Sequence, residues 1–308
     1  MDVSIIIVNY NTKQLLKDCL NSIYEHTKDI NFEIIVSDNG SKDGSIEMLK
    51  TEFPQVILIE NNANLGFGKA NNRGLEIAKG EFVFYLNSDT LLNNNALKIF
   101  YDYWKKHENE NLGALGCNLR ASDGSYAGSY NKFNSLEYPN KYIFNFFLVV
   151  LRVYYRYILY KFFHYKFKIF TNPKSKFIGD VDYIVGADLF IKNNEFAKFD
   201  ENIFMYQDEV DLQYNMKINN LIRRLIDGPN ITHLEGCSNK TNKISYEVLN
   251  MGSFMEINSK INIIYLLKKY KKINFIQSGW LKFLTLVLWI NPLLYKNTKF
   301  YIKEMLKR

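Results

Sequence analysis

Three apolar runs of strand length in the first ninety residues each stop at a polar cluster: "SIIIVNYN" (4–11), "EIIVSDNGS" (33–41) and "EFVFYLNSD" (81–89). A strand that is apolar on both faces must be covered on both, which is the situation of a parallel sheet clothed in helices. Helical segments separate the runs as that architecture requires. "TKQLLKDCLNSIYEHT" places Leu15, Leu16, Cys19, Leu20 and Ile23 at helical spacing, "GSIEMLKTEF" predicts a short helix, and "GKANNRGLEIAKG" a helix ended by glycine. "QVILIENN" adds a third strand before the fourth in "EFVFYLNSDT", and a helix over 94–107 and a strand over 112–118 complete this half. In open α/β sheets ligands bind beyond the carboxyl ends of the strands, so residues 9–11, 37–41 and 86–89 converge on one edge.

Composition narrows the class further. The chain has 308 residues, 47% hydrophobic and 16% aromatic, with a net charge of +7. That charge is unevenly placed: residues 138–178 hold eight Lys or Arg and no acid, residues 260–308 hold eleven against Glu304 alone, and the rest carries −11. An acidic body with two basic, aromatic-rich segments is not the pattern of a nucleic-acid-binding domain. The longest uninterrupted apolar run in the first segment, "FFLVVL", is far shorter than a membrane span needs, and Gln277, Lys282, Asn291 and Pro292 interrupt the second. Both segments read as helices, which either pack on the main domain or a second subunit, or lie at a membrane surface with aromatic rings at headgroup depth. Cys19, Cys117 and Cys237 are few, odd in number and far apart, which fits a reducing compartment without a disulfide framework or a zinc motif. "MDVSIIIVNYN" lacks a basic leader and reads as a first strand, so a cytoplasmic location is expected.

Beyond residue 178 the densest polar feature is "QDEVDLQ", where Asp208, Glu209 and Asp211 open a predicted helix. Acids in a first turn suit the helix dipole, yet three of them after the apolar "IFMY" also suit a helix aimed into a cleft. His233, after a short β-like segment, becomes a metal candidate only if it faces Asp89. "VNYNTKQ" contains no glycine, which argues against a nucleotidyltransferase phosphate loop, and no GxGxxG follows the first strand, which argues against a dinucleotide oxidoreductase.

The ordered set "SIIIVNYN", "IIVSDNGSKDGS", "NLGFGKANNRGLEIAKGEFVFYLNSD", "GADLFIKNN" and "FDENIFMYQDEVDLQYNMK", followed by a late His, resembles the inverting glycosyltransferases of family 2. Within them it is most similar to the rhamnosyltransferase-like branch that builds bacterial surface polysaccharides. The resemblance covers roughly 2–240. It implies an α/β GT-A fold with a mostly parallel central sheet, carrying a basic aromatic helical insertion and a C-terminal helical segment. The expected divisions are 1–137 for the nucleotide-sugar half, 138–178 for the insertion, 179–250 for the acceptor and catalytic half, and 251–308 for the C-terminal amphipathic segment.

By the same resemblance Asn9, Tyr10 and Asn11 would wall the base and ribose, and Asp38 would accept a hydrogen bond from the imide of uracil or thymine. Asn72 and Gly74 match the Asn and Gly of an "RNxG" segment whose Arg is Asn71 here, leaving Lys69 or Arg73 to meet phosphate. "LNSD" matches a DxD-type motif with Asn87 first, Ser88 between and Asp89 last, and His233 matches the His that completes a Mg²⁺ or Mn²⁺ shell. Asp208–Glu209 occupies the family's "ED" pair in reversed order, so the general base is Glu209, with Asp208 as the alternative. Gly186, Asp188 and Asp211 are assigned to the acceptor side. The implied partners are a nucleotide-diphosphate sugar (thymidine-diphosphate rhamnose first, a uridine-diphosphate hexose second) and a glycan or lipid-linked glycan acceptor at the inner membrane face, with a homodimer as a further option. The competing reading is a non-catalytic relative that binds a partner in polysaccharide assembly, fed by Asn87, Asn71 and the inverted acid pair.

Overall fold

A computed structural model describes residues 1–164, 175–234 and 254–290. Parts of the expected segments 138–178, 179–250 and 251–308, and Cys237, lie outside the described residues. The chain forms two compact units: Met1–Lys132 with Pro173–Ser238, and Phe133–Asn172 with Asn239–Arg308.

The first unit is built on an eight-stranded sheet in the order β3-β2-β1-β4-β10-β6-β11-β8. Its strands are β1 (Val3–Asn9), β2 (Phe32–Asp38), β3 (Ile57–Glu60), β4 (Phe82–Leu86), β6 (Leu112–Cys117), β8 (Gly179–Asp180), β10 (Asp188–Lys192) and β11 (Ile222–Ile226). The first four are mutually parallel, as the continuous apolar runs require. β10 enters antiparallel between β4 and β6, whereas β11 pairs parallel with β6. Smaller pairs are β5 (Thr90–Leu92) with β12 (Ile231–His233), and β7 (Tyr130–Asn131) with β9 (Tyr183–Ile184), all antiparallel.

Helices α1 (Lys13–His26), α2 (Ser45–Glu52), α3 (Phe67–Leu75) and α4 (Ala96–Lys106) follow their strands as the sequence pattern predicts. Both sheet faces are buried. Val3, Ile5 and Ile7 of β1 belong to one core layer and Ile6 to the other, because side chains alternate along a strand. On the first face Phe82, Phe100 and Phe190 stack with ring centroids 5.0–5.6 Å apart, and β10 is thereby fixed to its neighbours. After Phe199 the chain enters α7 (Asp208–Ile218) through Tyr206 and Gln207, both with positive φ (67° and 73°). Two consecutive non-glycine residues in that region cost free energy, so the helix start is held by its surroundings rather than by local preference.

The second unit contains α5 (Asn134–Glu137), α6 (Pro139–Phe163), α8 (Phe254–Lys269) and α9 (Phe275–Ile290). The short run "FFLVVL" within 138–178 understates the helix that contains it. The structure makes a single 25-residue helix of the segment's first part, long and apolar enough by length and composition to cross a membrane. Only Phe146, Val150 and Val153 of α6 are fully buried. α6 and α9 run alongside each other in the same direction: Gln277 Nε2 donates to Asn140 Oδ1 (2.9 Å) near one end, and Tyr154 Oη donates to the Val287 carbonyl (2.7 Å) near the other.

Candidate active site

The polar strand ends meet as the sheet topology dictates. Asn9 and Asp38 are register partners in β1 and β2, and both are fully buried. Asn9 Nδ2 donates to Asp38 Oδ2 at 2.6 Å and to Ser41 Oγ at 3.0 Å. Asn9 Oδ1 accepts from Thr12 Oγ1 (2.7 Å), and Thr12 Oγ1 lies 3.0 Å from Ser88 Oγ. One hydrogen-bonded chain therefore runs from Asp38 through Asn9 and Thr12 to the turn that carries Asp89. Such a chain fixes its members' orientation, because any member removed would leave a buried polar neighbour unsatisfied. Nothing in the sequence pattern singles out Thr12 for this role.

Asp38 differs from its expected environment. Its Oδ1 accepts the backbone N–H groups of Gly40 (3.0 Å) and Ser41 (2.8 Å) while Oδ2 takes Asn9, so its first job is to build the 38–41 turn. Asn11, at φ 55°, braces the same turn: its N–H donates to Ser41 Oγ and its Oδ1 accepts from Lys42 N. Tyr10 is left 47% exposed beside it.

Asp89 and His233 face one another. β5 and β12 pair with Thr90 opposite His233, and the Leu234 N–H donates to the Asp89 carbonyl at 2.9 Å. That register brings His233 Nε2 to 3.2 Å from Asp89 Oδ1, with both side chains nearly buried. The pair offers one hard carboxylate oxygen and one imidazole nitrogen. A divalent ion that also takes phosphate oxygens and water fits this donor set, Mn²⁺ more readily than Mg²⁺ because of the nitrogen. Among the described residues no group of three or more His, Cys, Asp or Glu forms a self-sufficient metal cage.

Asp188, expected on the acceptor side, is instead fully buried at the start of β10, where its Oδ2 accepts the Cys117 N–H at 2.8 Å. Burial pushes its pKa up to about 7, opposed by hydrogen bonds from Cys117 and by the nearby His233. The reason for the difference is register: Asp188 pairs with Leu86 inside the sheet, one step short of the polar edge. Asp211 is likewise buried, in the first turn of α7, where its charge adds to the rise in Asp208's pKa.

The acid pair separates by exposure. Asp208 is 1% exposed, and burial followed by the charge of Glu209 raises its pKa well above the ordinary carboxylate range, while the Gly68 backbone N–H opposes the rise. Glu209 is half-buried, and desolvation raises it too. Gly186 lies directly against it, since a Cβ there would sit 3.3 Å from Glu209 Cβ. Gln213, another residue the sequence reading passed over, is fully buried one turn along α7. Its Oε1 accepts from Ile184 N (2.8 Å), and its Nε2 donates to the carbonyls of Ile184 (2.7 Å) and Glu209 (3.1 Å), tying the helix start to β9. The dipeptide 186–187 joins the two halves of the site. Ala187's carbonyl accepts the Asn87 N–H at 3.1 Å while Gly186 contacts Glu209.

Asn72 and Lys69 occupy different surroundings from those expected. Asn72 is buried, its Oδ1 accepting from Phe199 N and its Nδ2 donating to Phe199 O and Glu201 Oε1, so both ends of the amide are spent on the loop before α7. Lys69 Nζ lies 3.5 Å from Glu201 Oε2 on the same loop. Gly66, at φ 87°, packs beneath that loop, where a Cβ would overlap the Phe204 carbonyl. The "NLGFGKANNRG" stretch therefore acts on the site through the loop that delivers Glu209.

Comparisons with known proteins bear on the family and the fold. The poly(ribitol-phosphate) β-glucosyltransferase of Bacillus spizizenii is 34% identical over 121 residues, 37% of this chain and 19% of that protein. The chain thus spans well under two thirds of the length of such relatives. The Staphylococcus aureus TarS 1–349 structure shares the fold at 15% identity, with a TM-score of 0.54 covering 97% of this chain and 73% of that one. GalNAc-T7, solved with UDP, GalNAc and Mn²⁺, shares it at 13% identity, with a TM-score of 0.55 covering 88% of this chain and 49% of that one. The family model described as glycosyl transferase family 2 matches residues 4–175, more than half the chain, and the chain belongs to that family, with its GT-A fold.

Proposed function

We propose that the chain transfers a sugar from a nucleoside diphosphate to a hydroxyl of a glycan or lipid-linked glycan in bacterial cell-surface polymer synthesis, with inversion at the anomeric carbon. The observation that carries this reading is the 186–187 dipeptide: the Ala187 carbonyl holds the Asn87–Asp89 turn, and Gly186 lies so near Glu209 that a Cβ on it would meet that side chain, so a diphosphate-side pair and a carboxylate lie on either side of one backbone step.

In this reading Tyr10's exposed ring and the Asn9–Asn11 edge receive the base, and the buried Asp38 shapes that edge by holding the 38–41 turn and Asn9. Asn87 and Ser88 line the path of the diphosphate. Asp89 and His233 would hold a divalent ion, which when bound neutralises charge on the departing diphosphate. Glu209 accepts the proton of the acceptor hydroxyl as that oxygen attacks the anomeric carbon. The glycosidic bond to phosphate breaks with its electron pair leaving on the nucleoside diphosphate. Asp208 is too enclosed to meet an acceptor and instead seats the helix start against Gly68, which favours Glu209 as the base. Gly186 leaves room beside it for the incoming hydroxyl. Asp188 and Asp211 support the site from below.

Two donors are proposed. Thymidine-diphosphate rhamnose follows from the sequence resemblance, and a uridine-diphosphate hexose is favoured by the names of the glucosyl-transferring relative and of the UDP-bound neighbour. The enzyme works at the inner face of the membrane, where a lipid-linked acceptor resides. A thermal-shift screen of sugar nucleotides with Mn²⁺, followed by an assay for nucleoside diphosphate release, tests the reading. One donor should raise Tm and be consumed. A chain that neither binds nor consumes any of them would be a non-catalytic binding partner instead.

A further inference from the structure

Among the exposed side chains of α6, which also include Lys141, Asn145, Arg152 and Lys161, the apolar or aromatic Phe144, Leu148, Leu151, Tyr155, Ile158 and Phe162 recur at helical spacing. The spacing 4-3-4-3-4 keeps them on one face of the helix, a stripe roughly 27 Å long at 1.5 Å per residue. α9 repeats the pattern with Ile276, Trp280, Phe283 and Ile290, exposed at 79%, 43%, 52% and 55%. The two stripes adjoin, because Phe147 and Trp280 pair with ring centroids 6.4 Å apart and Trp280 stacks on Phe283 at 5.5 Å. A contiguous apolar surface of this extent marks an interaction site, since soluble surfaces keep such patches small.

Three occupants compete: a second copy of this chain, a bilayer crossed by α6, and a bilayer surface on which both helices lie. A 3.5-residue stripe is also the seam of a coiled coil, but such seams are flanked by charges of both signs. Residues 138–164 carry Lys141, Arg152, Arg156 and Lys161 with no acid, and residues 270–290 carry no acid either. Two copies would therefore bring like charges together. Crossing would place Arg152 and Arg156 near the centre of α6, at the depth where a cation is most costly. Lying in the plane puts those guanidinium groups beside the stripe at headgroup level, where anionic lipid pairs with them and the aromatic rings reach the acyl boundary.

We propose that α6 and α9 together form an in-plane docking face for an anionic lipid bilayer. The proposal rests on the membrane location given under Proposed function and assigns it to named residues. Flotation with phosphatidylglycerol–phosphatidylcholine vesicles tests it, using the full chain, a Leu148→Gln/Leu151→Gln/Phe283→Gln variant and an Arg152→Glu/Arg156→Glu variant, with circular dichroism to show that each is folded. The wild type should float, its partition should fall as salt rises, and the triple variant should lose about tenfold or more of its partition. The arginine variant should lose binding to anionic but not to neutral vesicles. Tryptophan emission should shift to the blue on vesicle addition, less so in a Trp280→Phe variant, and alkaline carbonate should release the protein. A wild type that does not float overturns both the face and the membrane location. A triple variant that floats like the wild type overturns the face alone, and resistance to carbonate makes α6 a span. Wild-type dimers that the triple variant converts to monomers, without a change in flotation, assign the face to a second copy. Donor-induced thermal shifts, measured on the same proteins, report separately on the transfer reading.

Discussion

At the scale of single residues, the account turns on which carboxylate is free to move a proton. Burial raises the pKa of both Glu209 and Asp208, but Asp208 is 1% exposed whereas Glu209 is only half-buried. Asp89→Ala should abolish turnover, whereas Asn87→Ala, which leaves the turn's backbone bonds in place, should reduce it about tenfold or less, as nucleoside diphosphate release will show. The buried acids also set a pH dependence of stability. A carboxyl whose pKa is higher in the folded than in the unfolded chain binds its proton more tightly when folded. Its contribution is fully present below the unfolded value and is lost as pH rises through the folded one. For Asp188 the window runs from the model-peptide value of 3.8 to about 7. Asp188→Asn should therefore stabilise the protein at pH 7.5 by an amount on the order of a few kcal/mol and flatten the dependence of Tm on pH between these limits. A steeper dependence in the variant would contradict the burial account.

Among the elements, the fold was legible where periodicity spoke alone. The four apolar runs became β1 to β4 with the helices between them, because a strand apolar on both faces has no other home. The convergence of 9–11, 37–41 and 86–89 was legible for the same reason. What the sequence could not show was register. Asp188 lies one step inside the sheet because β10 enters antiparallel between β4 and β6, and the pattern "GADLFIKNN" carries no sign of that direction. Asn72 was read by motif as a ligand of the donor, yet its amide is matched to the Phe199 backbone, a partner 127 residues away. Thr12 and Gln213 escaped notice because each acts through long-range hydrogen bonds that no local spacing encodes. The loop that leads into α7 makes its own prediction. Gly66→Ala would force a side chain into the Phe204 carbonyl at φ 87° and should cost roughly 3 kcal/mol or more in chemical denaturation. It should also lower turnover, since the same loop carries Glu209 into place.

For the molecule as a whole, the proposed function gives the acidic body the transfer chemistry and the two basic aromatic segments the membrane contact. The Asp89–His233 pair has no third His, Cys, Asp or Glu grouped with it among the described residues, so a metal bound there would be held largely by the donor's phosphates. Activity should therefore need added Mn²⁺ or Mg²⁺ and vanish in EDTA, and the donor and the metal should each raise Tm more in the other's presence. Full activity in EDTA would remove the metal from the account. The most direct test of the central claim is steady-state release of nucleoside diphosphate by the wild type, Glu209→Gln and Asp208→Asn. With Glu209 as the base, Glu209→Gln loses about 10²–10⁴-fold in kcat with donor KM nearly unchanged, while Asp208→Asn keeps measurable turnover. Wild-type kcat in Glu209→Gln, with Asp208→Asn inactive, would contradict the account and move the base to Asp208.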